Sequence, residues 1–169
     1  MFNSRICLLI VVLQVVLLTS CKAPATAPSF HVAKATESQE NKSIFYFYRE
    51  YAEPTAWKST IYIDDVEIVS LAQESFSWVY LGPGKHKFAS RWSFLSGQRD
   101  VEFTEDILPN KRYFYEITGV SKVTGFAPYP SGILMFGMVQ NQITNLEEDK
   151  AVPQLEKCCR FIPPKTNNL

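Results

Sequence analysis

The sequence predicts a mainly β protein: a small antiparallel β-sandwich of about seven to eight strands with a short C-terminal helix, preceded by a signal peptide and a flexible tether. Three observations carry that expectation. From residue 44 onward, short runs dense in β-branched and aromatic residues alternate with turn residues. Helical periodicity is absent until near the C-terminus. At 169 residues, with 46 % hydrophobic and 14 % aromatic content, the chain can fill one core of ordinary size.

The elements follow in order. Residues 1–20 read as a targeting segment, with Arg5 supplying positive charge and an apolar run from Ile6 to Leu18 broken only by Gln14. That run fits a secretory h-region of about 7 to 15 residues and falls short of the roughly 20 that span a bilayer. It ends in Leu18-Thr19-Ser20-Cys21, which resembles the lipobox of bacterial lipoproteins. The resemblance implies a diacylglyceryl group on the Cys21 thiol, cleavage before Cys21, and a mature chain beginning there. The alternative is a cysteine that happens to end a signal peptide or an uncleaved anchor helix. Two or three acyl chains, each methylene contributing about 0.8 kcal/mol on burial, would make attachment effectively permanent. Lys22 follows the cysteine where an aspartate could stand. By resemblance to enterobacterial sorting, this implies the inner leaflet of the outer membrane, facing the periplasm.

Residues 21–43, rich in Ala, Pro, Thr, Ser and charge, read as the lipidated cysteine and a flexible tether. As a coil it would span about 26 Å. His31 within it reads as solvated.

The β-sandwich domain is expected over 44–162, with residues 163–169 as a tail. Its predicted strands are 43–50, 59–64, 67–72, 76–81, 86–92, 100–105 and 112–119, each made of residues that suit a pleated, half-buried surface. Asp64-Asp65 fits a tight hairpin turn, because aspartate tolerates the left-handed region; its rival is a paired-carboxylate site. Gly82-Pro83-Gly84-Lys85-His86 offers glycines and a cation but lacks phosphate-loop spacing and a following helix, so it reads as a turn between strands. His86 then alternates with Phe88 on the next strand. Ile133 to Val139 is the most apolar stretch after residue 21. Its composition permits a buried strand, which is favoured, or the start of a helix, or else an exposed patch with Met135 and Met138 that docks a partner.

Thr144 and Glu147 have capping-box spacing ahead of a terminal helix. Leu146, Val152, Leu155 and Cys159 would form its apolar side, and Pro153 limits its regularity.

With Cys7 in the leader and Cys21 carrying lipid, Cys158 and Cys159 are left as free thiols, a vicinal disulfide or an intermolecular bridge. The two histidines and these cysteines match no zinc spacing, so no metal or cofactor is expected. No nucleophile elbow or other catalytic arrangement stands out, so no catalytic residue is assigned. The 17 basic and 17 acidic residues cancel, which argues against a nucleic-acid partner. Tyr46, Tyr48, Tyr51, Trp57, Trp78, Tyr80 and Trp92 could floor a glycan groove or fill the core.

The succession "IFYFYR", "IYIDDVEIVSL", "PGKH", "NKRYFYEI" and "LEEDKAVPQLEKC" resembles a family of small bacterial lipoproteins built on a domain of unknown function. It is also similar to PEGA-type and carboxypeptidase-regulatory-like sandwich modules. Asp65 stands where glycine is common in that pattern, and Asn110-Lys111 where Gly-Lys is usual. The resemblance implies an accessory domain without an active site. The expectation is therefore a membrane-anchored periplasmic lipoprotein, a non-enzymatic accessory or protein-binding module of the cell envelope. The alternative is a lipoprotein that binds a glycan or small ligand through surface aromatics.

Overall fold

The computed structural model describes residues 22–36, 39–52, 56–130, 132–166 and 169, with backbone alone at 120–124, 129 and 132–140. Among these, nine strands form two sheets: β1 (Ser43–Arg49), β2 (Ser59–Ile63), β3 (Val66–Leu71), β4 (Ser75–Leu81), β5 (Gly84–Trp92), β6 (Val101–Ile107), β7 (Arg112–Tyr129), β8 (Gly132–Leu146) and β9 (Arg160–Phe161). The first sheet has the order β8-β7-β1-β4-β9 and the second β3-β2-β5-β6. Most neighbours are antiparallel, but β1 pairs with β7, and β4 with β9, in parallel. Two short helices, α1 (Phe30–Ala33) and α2 (Glu148–Cys158), complete the fold.

The core lies between the sheets. Phe45, Phe47, Val79, Leu81 and Ile117 of the first sheet meet Ile61, Ile63, Ile68, Leu71 and Phe88 of the second. The Phe45 ring stacks on Tyr113 at 4.5 Å and on Phe88 at 5.3 Å. Each such pair contributes about 0.5 to 1.5 kcal/mol beyond its buried area.

β1 explains a second layer. All seven of its residues are buried, because Ile44, Tyr46 and Tyr48 point away from the sandwich core and need cover of their own. That cover is α2, through Ala151 and Leu155, and α1, through Phe30. Phe30 meets Phe76 edge-on at 5.4 Å.

This corrects the reading of residues 22–43 as a flexible tether. Lys22 bridges to Gln73, Ser29 bridges to Arg160, and Phe30 and Ala35 are buried. An apolar outer sheet face recruits the few large apolar groups that a polar segment contains. On the other side, the expected tail also packs: the Lys165 N–H donates to Ile68 O and the Leu169 N–H to Tyr80 O.

The capping box is likewise corrected. Thr144 lies in β8, Glu147 is itself the N-cap of α2 and makes no side-chain cap bond, and Glu148 and Asp149 occupy the first turn. The expected apolar side of the helix is present, with Leu155 and Cys159 buried and Leu146 and Val152 packed against them. Ile133 to Val139 lies on strand β8; the side chains of this stretch lie outside the described residues.

β7 and β8 run far past the rest of their sheet. β1 covers β7 only from Arg112 to Glu116, and beyond that the pairing of β7 is with β8, out to Tyr129 opposite Gly132. A register shift between Val123 and Gly125 interrupts the resulting two-stranded arm.

Candidate functional site

The residues with chemistry gather at one end of the sandwich, where β1 finishes and β4 begins. Cys21 lies outside the described residues, but the residue after it is fixed at this end. The Ala23 N–H donates to Gln73 O at 3.0 Å, and Lys22 Nζ donates to Glu74 Oε1 at 2.6 Å. Glu74 in turn lines a cleft of about 320 Å³ with Glu50, Tyr51, Lys157 and Cys158. Cys158 is joined to Cys159 in a vicinal disulfide, with Cys159 buried. Of the three arrangements open for these thiols, the structure holds this one. Lys22 and the cysteine pair, distant in sequence, thus belong to the same end of the molecule.

The cleft backs onto an acidic spot that the sequence did not reveal. Parallel pairing sets Glu116 of β7 opposite Tyr48 of β1. Burial, with a smaller push from the Glu50 carboxylate, raises the Glu116 pKa above its ordinary value. Burial, then Glu116 and Glu50, also raises that of Tyr48, whose hydroxyl donates to Gln154 Oε1 at 2.6 Å. The only sequence signal available was an acidic residue, Glu50 or Glu116, following each of two aromatic runs, and local spacing cannot show that those strands pair.

Beneath this end lies Arg49, fully buried. Its guanidinium donates to the carbonyls of Trp57 at 2.7 Å, Leu71 at 3.2 Å and Ala52 at 2.6 Å, and sits 4.5 Å from the centre of the Trp92 ring. Gln73 clamps Ala52 from the other side, accepting from its N–H and donating to its carbonyl. A planar fork of donors can hold several carbonyls at once, which a lysine cannot. Ser59, Ser90 and Asn141 form a further buried polar string, with Ser59 and Ser90 hydroxyls 2.7 Å apart and Asn141 donating to Ser90 at 3.1 Å.

The opposite end is built from turns. Asp64 and Asp65 both have positive φ, so they form the expected hairpin turn between β2 and β3. Asp64 accepts from the Lys87 N–H at 2.9 Å and from His86 Nδ1 at 2.6 Å, while His86 Nε2 lies 3.1 Å from Gly82 O. The Pro-Gly-Lys-His segment is therefore a brace between two turns, and Gly84 takes the φ of +127° that such a turn requires. A pocket of about 200 Å³ beside it is lined by Lys42, Lys111 and Arg112; Lys42 donates to Leu169 O and Arg112 pairs with Glu148.

Of the aromatic residues proposed as a glycan floor, Tyr46, Tyr48, Tyr80 and Trp92 are buried and Tyr51 is exposed. His31 is exposed, 3.6 Å from Glu156. Among the described residues no three His, Cys, Asp or Glu side chains converge as a metal site, and no helix is long and apolar enough to cross a membrane.

No family model matches the chain, and no curated protein matches it significantly.

Proposed function

We propose that this chain is a lipid-anchored protein of the bacterial cell envelope, held by Cys21 to the inner leaflet of the outer membrane and acting as a non-enzymatic accessory or binding module. The observation that carries the reading is the pairing of Lys22 and Ala23 with Gln73 directly after the Leu18-Thr19-Ser20-Cys21 sequence. With the chain clamped so close to the lipidated residue, the domain would stand on the membrane by a defined end. The accessory role is supported by the use of buried polar groups. Arg49, Gln73, Ser59, Ser90 and Asn141 are engaged in holding loops and strands.

Binding of a glycan through surface aromatics is the weaker reading, because four of the seven rings considered are in the core.

The test is incorporation of labelled palmitate in cells making the full chain. The wild type should take up label and fractionate with membranes, and Cys21→Ala should lose the label and accumulate as precursor. Equal labelling of the two would sink the anchor assignment.

A further inference from the structure

We propose that the β7–β8 arm is a second membrane contact, its tip between Gly125 and Phe136 entering the interfacial layer of the bilayer to which Cys21 is attached. The inference rests on the lipoprotein reading and adds a surface to it. Three independent observations support it.

The first is direction. β7 runs parallel to β1, so it leaves the sheet past Tyr48 and Arg49. Those residues sit beside Ser75, Phe76 and Gln73 at the start of β4, where Lys22 is bridged. The arm therefore departs from the end at which Lys22, the residue after Cys21, is held. From Val120 to Tyr129 the arm extends about 33 Å at 3.3 Å per residue, comparable with a hydrocarbon core of about 30 Å.

The second is charge. Between Ile117 and Ile143 the one charged residue is Lys122, in a chain with 17 basic and 17 acidic residues. Sheet edges exposed to water are ordinarily blunted by charge, proline or bulges; here Lys122, Pro128 and the register shift at Val123/Gly125 do so, with no second charge. Its outer portion, "GFAPYPSGILMF", combines aliphatic side chains with Phe126, Tyr129 and Phe136, and tyrosine is a residue type enriched at membrane interfaces.

The third is the surface around the arm's root. Phe94 is 94 % exposed, Leu95 75 % and Tyr51 65 %, and all lie at this end. Tyr51 follows β1 directly. Phe94 and Leu95 form the turn after Trp92, whose ring packs on Arg49. On the arm itself Phe126 is 68 % exposed. Three large apolar groups in water beside an arm with a single charge are costly unless something covers them. A bilayer is the cover that attachment through Cys21, next in sequence to Lys22 at this end, would supply.

Open strand edges set the depth. Lipid cannot satisfy unpaired N–H and C=O groups, so a lone two-stranded ribbon does not cross the hydrocarbon. The tip accordingly rests at the headgroup and acyl boundary, where water still reaches its edges.

The experiment uses full-length protein extracted from membranes and reconstituted into phosphatidylethanolamine/phosphatidylglycerol vesicles with brominated acyl chains. Phe126→Trp reports the arm, Phe94→Trp its root, and Leu108→Trp the far end, where Leu108 is also exposed. All three replace exposed side chains, and circular dichroism checks that each variant folds. Above the wild-type tryptophan background, Phe126→Trp should be quenched several-fold more than Leu108→Trp and shifted to the blue, with Phe94→Trp between them. Equal quenching of all three in palmitate-labelled protein would overturn the inference while leaving the anchor standing. Blue-shifted Phe126→Trp emission without bromine quenching would also overturn it, by placing the arm inside protein. Quenching of Phe126→Trp in protein that carries no palmitate would uphold the arm and sink the anchor.

Discussion

Arg49 shows how one side chain decides the shape of the end that matters. It is buried without exposure and holds three carbonyls from separate segments, so Trp57, Leu71 and Ala52 converge on it. Arg49→Met keeps much of the volume but strands those acceptors, and we expect a loss of roughly 3 kcal/mol or more in urea unfolding. Arg49→Lys should recover only a minor part, because the fork is lost. At the other end, Asp64 is a residue-scale pH probe. Partial desolvation pushes its pKa up, but the Lys87 N–H and the His86 ring outweigh this and hold it below the usual carboxylate value. A depressed pKa in the fold contributes stability at pH above the unfolded value, about 3.9, and that contribution fades as pH falls through the folded one. Asp64→Asn, which still suits positive φ, should therefore melt lower than wild type at neutral pH. The gap should begin to narrow below about pH 4, where the unfolded-state aspartate protonates first, and vanish once pH has fallen through the folded value. A gap independent of pH would refute the charge assignment. Neither role was legible beforehand. "YFYR" ends a strand and "DD" makes a turn, but the partners of each lie in other elements.

Elements were legible where the local pattern and the tertiary surroundings agree. β2 alternates buried and half-buried residues, as a strand with one covered face must, and its predicted span of 59–64 is close to the observed Ser59–Ile63. The Asp-Asp and Pro-Gly turns were placed for the same reason: positive φ is a local demand that few residues meet. β7 and β8 were not legible as one long hairpin, because Gly119, Gly125, Pro128 and Pro130 punctuate the stretch and read as breaks. Segment 22–36 was missed because composition averages over the single residue that docks it. Phe30 packs on Tyr46 and Phe76 as the plug over an outer face. Phe30→Ala should cost about 3 kcal/mol. It should also speed tryptic cleavage at Lys34, read by mass spectrometry, with the cleavage pattern of the sandwich strands unchanged until global unfolding. If Lys34 is cut equally fast in both proteins, the segment is not held by Phe30.

The whole molecule has a polarity that no single element carries. Lys22, the arm, Tyr51, Phe94 and Leu95 share one end, and the paired turns with the Lys42, Lys111 and Arg112 pocket share the other. Under the proposed anchoring, Phe126→Trp should be quenched by bromolipid because of that orientation, whereas Cys21→Ala should lose palmitate because it removes the acceptor thiol. By itself the sequence determined the β class and the positions of the turns, because backbone propensity and positive φ are local properties. Only the tertiary structure decided that both faces of β1 are covered, that Glu116 meets the Glu50 end of β1, that Cys158 and Cys159 are joined beside Glu74, and that the arm runs toward the end where Lys22 is held. Each of these depends on which strands become neighbours, and parallel pairing across a long stretch of chain leaves no mark in local spacing.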